Sequence, residues 1–308
     1  GSAHTIAYTV TGMVNGDEQP SVDGNVSKTD AGTYAATLSI TNDNYKAESV
    51  STSLVINKAE YTPSVNPSGL TATYGEQLSS VALTNDASNI EGTWSWNQTG
   101  TVGNAGTNSF QATFTPNNTN YAPSTHTLSV EVEKATVVIN VTNNTFTYDG
   151  SAHTIAYTVT GMVNGDAAPS VDGNVSKTDA GTYVATLSIT NANYKAESVS
   201  TSLVINSIEI SNKPSKFITT YGDTLGSITL PTSEYGTWSF VDETSTVVGS
   251  VGTHTFGIKF TSSNNNYETY ETTTSVEVSK KTLTIVIVQS TFNYDEQPHS
   301  IIYKVMDG

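Results

Sequence analysis

Residues 178–189 read TDAGTYVATLSI and residues 29–40 read TDAGTYAATLSI. In both, Asp and Gly precede a run in which apolar residues alternate with Thr or Ser, the period-two pattern of a strand with one buried face. In Asp-Ala-Gly-Thr-Tyr the Asp caps its own turn, the Gly takes the backbone angle a corner needs, and the Tyr begins the next strand. Reworded relatives stand at 103–110, GNAGTNSF, and at 249–256, GSVGTHTF. The chain is therefore a repeat protein, and its repeats, more than its 308 residues, set the domain count.

Working outward, residues 1–57 match 150–206 throughout except at Glu18/Ala167, Gln19/Ala168, Ala35/Val184 and Asp43/Ala192, a mark of recent duplication. A second kind of unit, 58–134, aligns with 207–280 through TYGEQLSSVALT at 73–84 and TYGDTLGSITLP at 220–231. A third copy of the first kind starts at Lys281, where FNYDEQPHSIIYKV echoes FTYDGSAHTIAYTV. The expected order is A-B-A-B-A: 1–57 without its first strand, 58–134, 135–206, 207–280, and 281–308 as the start of a further A unit.

Both kinds of unit carry an Asn-x-Asn-Tyr tetrad after the corner strand: Asn42, Asn44 and Tyr45; Asn118, Asn120 and Tyr121; Asn191, Asn193 and Tyr194; Asn264, Asn266 and Tyr267. These Asn residues suit left-handed turn positions, so each tetrad is read as a hairpin turn. The corner Gly and the tetrad Tyr lie two residues further apart in B (Gly106 to Tyr121, Gly252 to Tyr267) than in A (Gly32 to Tyr45, Gly181 to Tyr194). An even change preserves the buried face, so A and B are one fold in two variants.

No window sustains a helical period, and Gly, Asn, Asp and Pro punctuate at short intervals. The expected fold is all-β: tandem small antiparallel Ig-like β-sandwich domains of roughly six or seven strands, forming an elongated rod. Asp30, Gly32 and Tyr34, with Asp179, Gly181 and Tyr183, form the structural corners. By analogy with the tyrosine corner, Tyr183 should be largely buried with its hydroxyl bonded to backbone a few residues upstream. Asn108 and His254 replace the Tyr in B, where the hydroxyl bond must be absent or replaced.

The YDG at 148–150 with GTYVATLSI at 181–189, alternating with TYG at 73–75 and TTYG at 219–222, resembles the YDG-type and MBG-type repeats of bacterial surface proteins. The resemblance covers essentially the whole chain. It implies Ig-like stalk or adhesin modules at the bacterial cell surface. Glu296 replaces the Gly of YDG in the last unit, which puts a Gly-specific backbone angle there in question.

Acidic residues outnumber basic ones by 28 to 12, a net charge of −16, so the overall field repels nucleic acid and anionic membranes. Without cysteine there are no disulfides or zinc-thiolate sites. No run approaches the ~18 apolar residues of a membrane span, and any export or anchoring signal is expected outside this stretch. The histidines at 4, 126, 153, 254 and 299 are read as lying on solvated strand faces, and no nucleophile or carboxylate constellation supports catalysis. No cofactor is expected. Calcium is the one ion left open, since Asn and acidic oxygens are plentiful although the EF-hand spacing is missing. Trp94, Trp96 and Trp238 are read as core rather than a sugar platform. The positions of Lys58, Lys134, Lys177 and Lys195 argue against Lys–Asn isopeptide bonds, and the sequons at Asn25, Asn97, Asn117, Asn140, Asn143 and Asn174 are expected bare.

The joints SLVINKAEYTP, VEVEKATVVINV and VEVSKKTLTIVI carry no Gly/Ser linker, so the units should stack. At ~3.3 Å per strand residue a domain is roughly 35–40 Å long and the whole on the order of 150 Å. The expected function is non-enzymatic: an extracellular stalk or filament-forming segment whose partners are neighbouring repeats of the same or an adjacent chain. The alternative is an adhesin whose repeats bind a glycan or a host or partner protein directly. Unit 1–57 lacks the counterpart of 135–149, while 281–308 carries LTIVIV and FNY. Two readings stay open: a window on a longer repeat protein, or head-to-tail completion by a donor strand.

Overall fold

The computed structural model describes residues 1–84 and 90–307; Gly308, the last residue of the fifth segment, lies outside them. The chain forms two compact units. One comprises Gly1–Val138, Val159–Ser170 and Ile189–Glu197, the other Ile139–Thr158, Val171–Ser188 and Ser198–Gly308. Among the described residues the regular structure is strand throughout, apart from single 3-10 turns at Leu78–Ser80 and Leu225–Ser227. The fold is all-β and Ig-like.

In the first unit, the B repeat builds a four-stranded sheet in the order Leu70–Thr73, Ser124–Glu133, Gly106–Pro116, Gly92–Trp96. Alternation buries one face of each strand: Phe114 is sealed, and Val130 and Val132 pack in one buried cluster with Leu78 and Val102. In the second unit, Lys216–Thr220, Tyr270–Ser279, Gly252–Ser262 and Gly236–Phe240 repeat the order, around Phe260, Ile258 and Val276.

The long ladders are antiparallel, as expected. The opening strand of each B repeat, however, joins the last strand in parallel: Leu70 to Thr73 against Val130 to Glu133, and Lys216 to Thr220 against Ser275 to Ser279. Parallel neighbours need a long crossover, and the body of the repeat supplies it. In the A repeat the opening strand Ala135–Thr136 runs parallel to Tyr194–Lys195, and it is the later Thr145–Thr147 that runs parallel to the last strand, Val199–Asn206, which also pairs antiparallel with Gly181–Ile189. The two-residue difference between A and B appears as strand length: 9 residues at Gly32–Ile40 and Gly181–Ile189, 11 at Gly106–Pro116 and Gly252–Ser262.

Burial differs between the copies. Leu203 and Ile205, on the strand that Thr145–Thr147 pairs with edge to edge, are sealed, whereas their copies Leu54 and Ile56 are half-buried. The hairpin of Leu283–Gln289 and Ile302–Asp307 leaves Ile285, Ile287, Tyr303 and Val305 exposed.

Glu296 corrects a sequence expectation. It holds φ 62°, the one non-glycine positive φ among the described residues, where Gly150 holds 81°. The Gly is dispensable because a neighbouring Asp holds the turn. Asp295 Oδ1 accepts from Gln297 N at 3.0 Å and lies 2.7 Å from His299 Nε2, as Asp149 does with Ser151 N at 2.8 Å and His153 at 3.0 Å. The bonds offset the ~1–2 kcal/mol that a side chain costs in left-handed backbone.

Burial predicts an asymmetry between the copies. Leu203→Ala should cost about 2–5 kcal/mol in chemical denaturation, and Leu54→Ala distinctly less. Equal costs would show that the segment 135–149 does not seal the core.

Candidate functional site

The corners are built first. Tyr183 Oη donates to the Asp179 carbonyl at 2.9 Å, and Tyr34 Oη to that of Asp30 at 3.0 Å. Each ring lies over the corner glycine: a Cβ on Gly181 or Gly32 would stand 3.2 Å from it. Lys177 and Lys28 lie 5.2 Å from these ring centroids. The Tyr is half-buried rather than largely buried, because the corner sits at the rim of the sheet. In B the bond is replaced in kind: Asn108 Nδ2 donates to Asn104 O at 2.6 Å, and His254 Nε2 lies 2.6 Å from Ser250 O. A carbonyl only accepts, so that imidazole carries its proton on Nε2. Three side-chain types thus tie the strand to the residue four positions back.

The tetrads then engage the corners. The first Asn closes the turn: Asn42 Oδ1 accepts from Asn44 N at 2.8 Å and Tyr45 N at 3.0 Å, and Asn191 Oδ1 from Asn193 N at 2.8 Å and Tyr194 N at 3.1 Å. Asn118 and Asn264 accept likewise from Asn120 N at 3.0 Å and Asn266 N at 2.9 Å. This leaves the second Asn side chain directed at the corner of the preceding repeat. Asn120 Oδ1 accepts from Ala31 N at 2.6 Å while its Nδ2 donates to Asp30 Oδ1 at 2.9 Å. Asn193 repeats this on Ala105 N at 3.0 Å and Asn104 Oδ1 at 3.1 Å. Asn266 does so on Ala180 N at 2.6 Å and Asp179 Oδ1 at 3.0 Å.

A carboxamide is the one neutral side-chain group that offers an acceptor and a donor side by side. It matches the corner's main-chain N–H and side-chain oxygen. The main chain of the same Asn pairs with the first residues of its own repeat, Ala59 N to Asn120 O at 2.9 Å, Ala135 N to Asn193 O at 2.9 Å, and Ile208 N to Asn266 O at 3.1 Å. One residue therefore fastens the joint from both sides.

A second contact uses the TYG of B and the tetrad Tyr of A. Tyr194 Oη donates to Asp166 Oδ2 at 2.5 Å and accepts from Val163 N at 3.0 Å, while Tyr74 Oη donates to the same Oδ2 at 2.9 Å. The rings of Tyr74 and Tyr194 meet edge-on at 5.4 Å. Gly75, at φ 93°, admits Val163: a Cβ there would stand 2.4 Å from Val163 Cγ2. The two hydroxyls, Tyr194 first, hold the Asp166 carboxyl below its usual range. Burial and then Asp166 push the Tyr194 phenol up, and the bond to Asp166 pushes Tyr74 up. In the first A copy Tyr45 bonds Asp17 at 2.5 Å. Among B tetrads, Tyr121 packs edge-on to Tyr61 at 5.7 Å, and Tyr267 stacks on Tyr235 at 4.3 Å and meets Tyr148 of the preceding A repeat at 5.8 Å.

The remaining candidates have structural surroundings. His153 stacks on Phe146 at 4.5 Å, His126 meets Trp94 at 5.3 Å, and His254 closes a corner; all three are half-buried, not on solvated faces, because each has a ring or carbonyl partner. Trp238 is buried, and Trp94 and Trp96 are half-buried. The sequon residues Asn25 and Asn174 bridge main chain, Asn174 accepting from Ile155 N at 3.2 Å and donating to Ile155 O at 2.9 Å. Among the described residues no three His, Asp or Glu side chains converge, and Asp30 and Asp179 accept from the Asn clamps. Nor is any helix among them long and apolar enough to cross a membrane.

No protein-family model and no curated sequence matches the chain. Among solved structures it is similar to three immunoglobulin domains of titin in an E-to-A variant, with 12% identity over 71% of this chain and 98% of that one and a TM-score of 0.28. It is also similar to the first four extracellular domains of Drosophila N-cadherin, with 8% identity, 80% and 83% coverage and a TM-score of 0.20. The eight N-terminal Ig domains of Down Syndrome Cell Adhesion Molecule give 10% identity, 87% and 44% coverage and a TM-score of 0.25. At these scores the neighbours carry no argument about what this chain does.

Two measurements test the site. Tyr183→Phe removes one hydrogen bond and should cost about 1 kcal/mol in urea denaturation, and Tyr183→Ala more, since it also uncovers Gly181. Negligible costs for both would mean the corner contributes nothing. The Tyr74–Asp166 contact has a pH window. With its pKa lowered in the fold, Asp166 contributes stability above the usual carboxylate pKa of ~3.9 that is lost as pH falls through the folded value; with theirs raised, the phenols contribute below ~10 and lose it as pH rises. The difference in melting temperature between the parent chain and Tyr74→Phe should be largest at neutral pH and shrink toward both extremes. A difference independent of pH would refute the Tyr74–Asp166 bond.

Proposed function

We propose that the chain is a non-enzymatic structural repeat region, an extracellular stalk or filament-forming segment of a bacterial surface protein built from alternating YDG-type and MBG-type units. One observation carries the reading: the same two-point asparagine clamp recurs at three successive joints among the described residues, on Asn120, Asn193 and Asn266. A recurrent joint built from main-chain N–H, amide and carboxyl groups fixes one repeat against the next. This serves a spacer whose task is to hold a distance. Two neutral or singly charged hydrogen bonds per clamp are worth on the order of 1–3 kcal/mol, comparable to the stacking help that a small repeat needs.

The test is X-ray scattering by the full chain and by the combined variant Asn120→Ala, Asn193→Ala, Asn266→Ala. An extended particle with a sharp distance distribution is expected for the parent chain, broadened in the variant while circular dichroism stays unchanged. A compact parent particle, or a variant with an identical profile, would overturn the spacer reading.

The adhesin alternative has one feature in its favour. In the second B repeat a cavity of about 590 Å³ is lined by Glu209, Lys213, Glu234, Tyr235, Trp238 and Tyr267. A hydrogen bond to Glu234 pushes the Tyr235 phenol up to about 12, so it stays a donor at any physiological pH. A glycan array probed with the chain and with Tyr235→Ala decides: signal lost in the variant supports a binding role, and a blank array removes it.

A further inference from the structure

The heptapeptide TGMVNGD occurs at 11–17 and again at 160–166, and it holds the chain's two Asn-Gly bonds. Asn15 and Asn164 are both exposed, and each precedes a glycine with positive φ, Gly16 at 99° and Gly165 at 95°. Open space surrounds both glycines, with nothing within 4 Å of an added Cβ. The turns are closed by Asp17 N to Val14 O and Asp166 N to Val163 O, each at 3.1 Å. The two copies differ in what they hold. Asp17 receives Tyr45 alone, at 2.5 Å, whereas Asp166 receives Tyr194 at 2.5 Å and also Tyr74 of the preceding repeat at 2.9 Å.

We propose that Asn164 is a site of spontaneous deamidation whose isoaspartyl product releases the joint made by Tyr74, Gly75, Val163 and Asp166, so that the repeat array carries a chemical clock at this joint. This goes beyond the stalk reading and does not depend on it. In the reaction the Gly165 amide nitrogen, its proton passing to solvent, attacks Cγ of Asn164. The new C–N bond closes a succinimide, and the Cγ–Nδ2 bond breaks with loss of ammonia. Glycine removes the side chain that would obstruct this attack. Water then opens the ring at either carbonyl, and opening at the main-chain carbonyl routes the backbone through Cγ as isoaspartate. No oxidant or enzyme is needed. The product adds one methylene to the main chain inside the turn closed by Val163 O and Asp166 N, and places a new carboxylate beside Asp166. Both changes displace the carboxyl that the two tyrosines share and the Val163 side chain lodged against Gly75.

The identical heptapeptide at 11–17 is an internal control. The extra bond from Tyr74 restrains the second turn, so Asn164 should react more slowly than Asn15, and Tyr74→Phe should bring the two rates together. The experiment ages the full chain in mildly alkaline buffer, with peptide mapping and isoaspartyl methyltransferase labelling at both sites and hydrogen exchange read on the same samples. The expected result is isoaspartate at Asn15 and Asn164, with exchange protection lost at 73–75 and 163–166 in proportion to the product at Asn164. An Asn164→Gln variant, in which the corresponding ring closure is slow, should keep that protection through the same treatment. Absence of isoaspartate at Asn164 overturns the proposal. So does its accumulation with protection at 73–75 unchanged, or equal loss of protection in the Asn164→Gln chain. None of these outcomes bears on the asparagine clamps, so the stalk reading stands or falls separately.

Discussion

A β-sandwich that stacks on another presents the corners at its rim, and such a turn leaves main-chain N–H groups facing out of the sheet. In water such groups are satisfied at no cost, but against another repeat each one needs a partner. The Ala31, Ala105 and Ala180 amides are in this position, and an asparagine carboxamide meets each of them. Most other features of the joint follow from that need. The first Asn of the tetrad closes the hairpin so that the second can point away from it, and the corner's Asp or Asn supplies the oxygen for the amide's remaining donor. At these three corners the strand that follows is pinned to the corner by Tyr34, Asn108 or Tyr183, so the target does not shift.

This arrangement also explains why two unit types can alternate. Both present the same clamp and the same corner, so an A corner accepts a B tetrad and a B corner an A tetrad. The second contact differs between the joints. Between 58–134 and 135–206 it is the Tyr74–Gly75 pair seated on the 162–166 turn, with Gly75 small enough to take Val163. Between 135–206 and 207–280 it is aromatic, with Tyr148 edge-on to Tyr267. The YDG and TYG motifs are therefore joint chemistry as much as they are repeat markers.

Much of this was legible in the sequence, and the limits have physical reasons. Period-two alternation in GTYVATLSI and its three relatives announces strands, and the even spacing difference between A and B is visible as strand length. The parallel seating of 70–73 and 216–220 is not, because period two is blind to strand direction. The role of Asn120, Asn193 and Asn266 was hidden for a related reason: Asn-x-Asn-Tyr is a sufficient turn signal, and its first Asn accounts for the motif locally. What could have betrayed the second Asn is its invariance across four tetrads whose intervening residue varies from Asp43 to Thr119, Ala192 and Asn265. At Glu296 the loss of the glycine puts the backbone angle in question, yet the positive φ persists, with Asp295 bound to Gln297 N and beside His299. The pairing of Tyr74 with Asp166 spans 92 positions, and no local pattern reports on a contact of that range.

The parallel seating of the opening strand has a mechanical meaning. Within the repeat 207–280, the strand Lys216–Thr220 is reached from the N-terminal side and Tyr270–Ser279 is left at its C-terminal end, and the two run side by side in the same direction. Tension on the ends of the repeat therefore draws the strands along their own axes in opposite senses. The ladder from Lys216 opposite Ser275 to Thr220 opposite Ser279 is then loaded in shear, with its hydrogen bonds sharing the force. An antiparallel closing pair pulled from one end would instead be peeled one bond at a time. Resistance to force is governed by the unfolding rate rather than by equilibrium stability. A repeat with a modest core can thus hold under tension through the direction in which its first strand is laid.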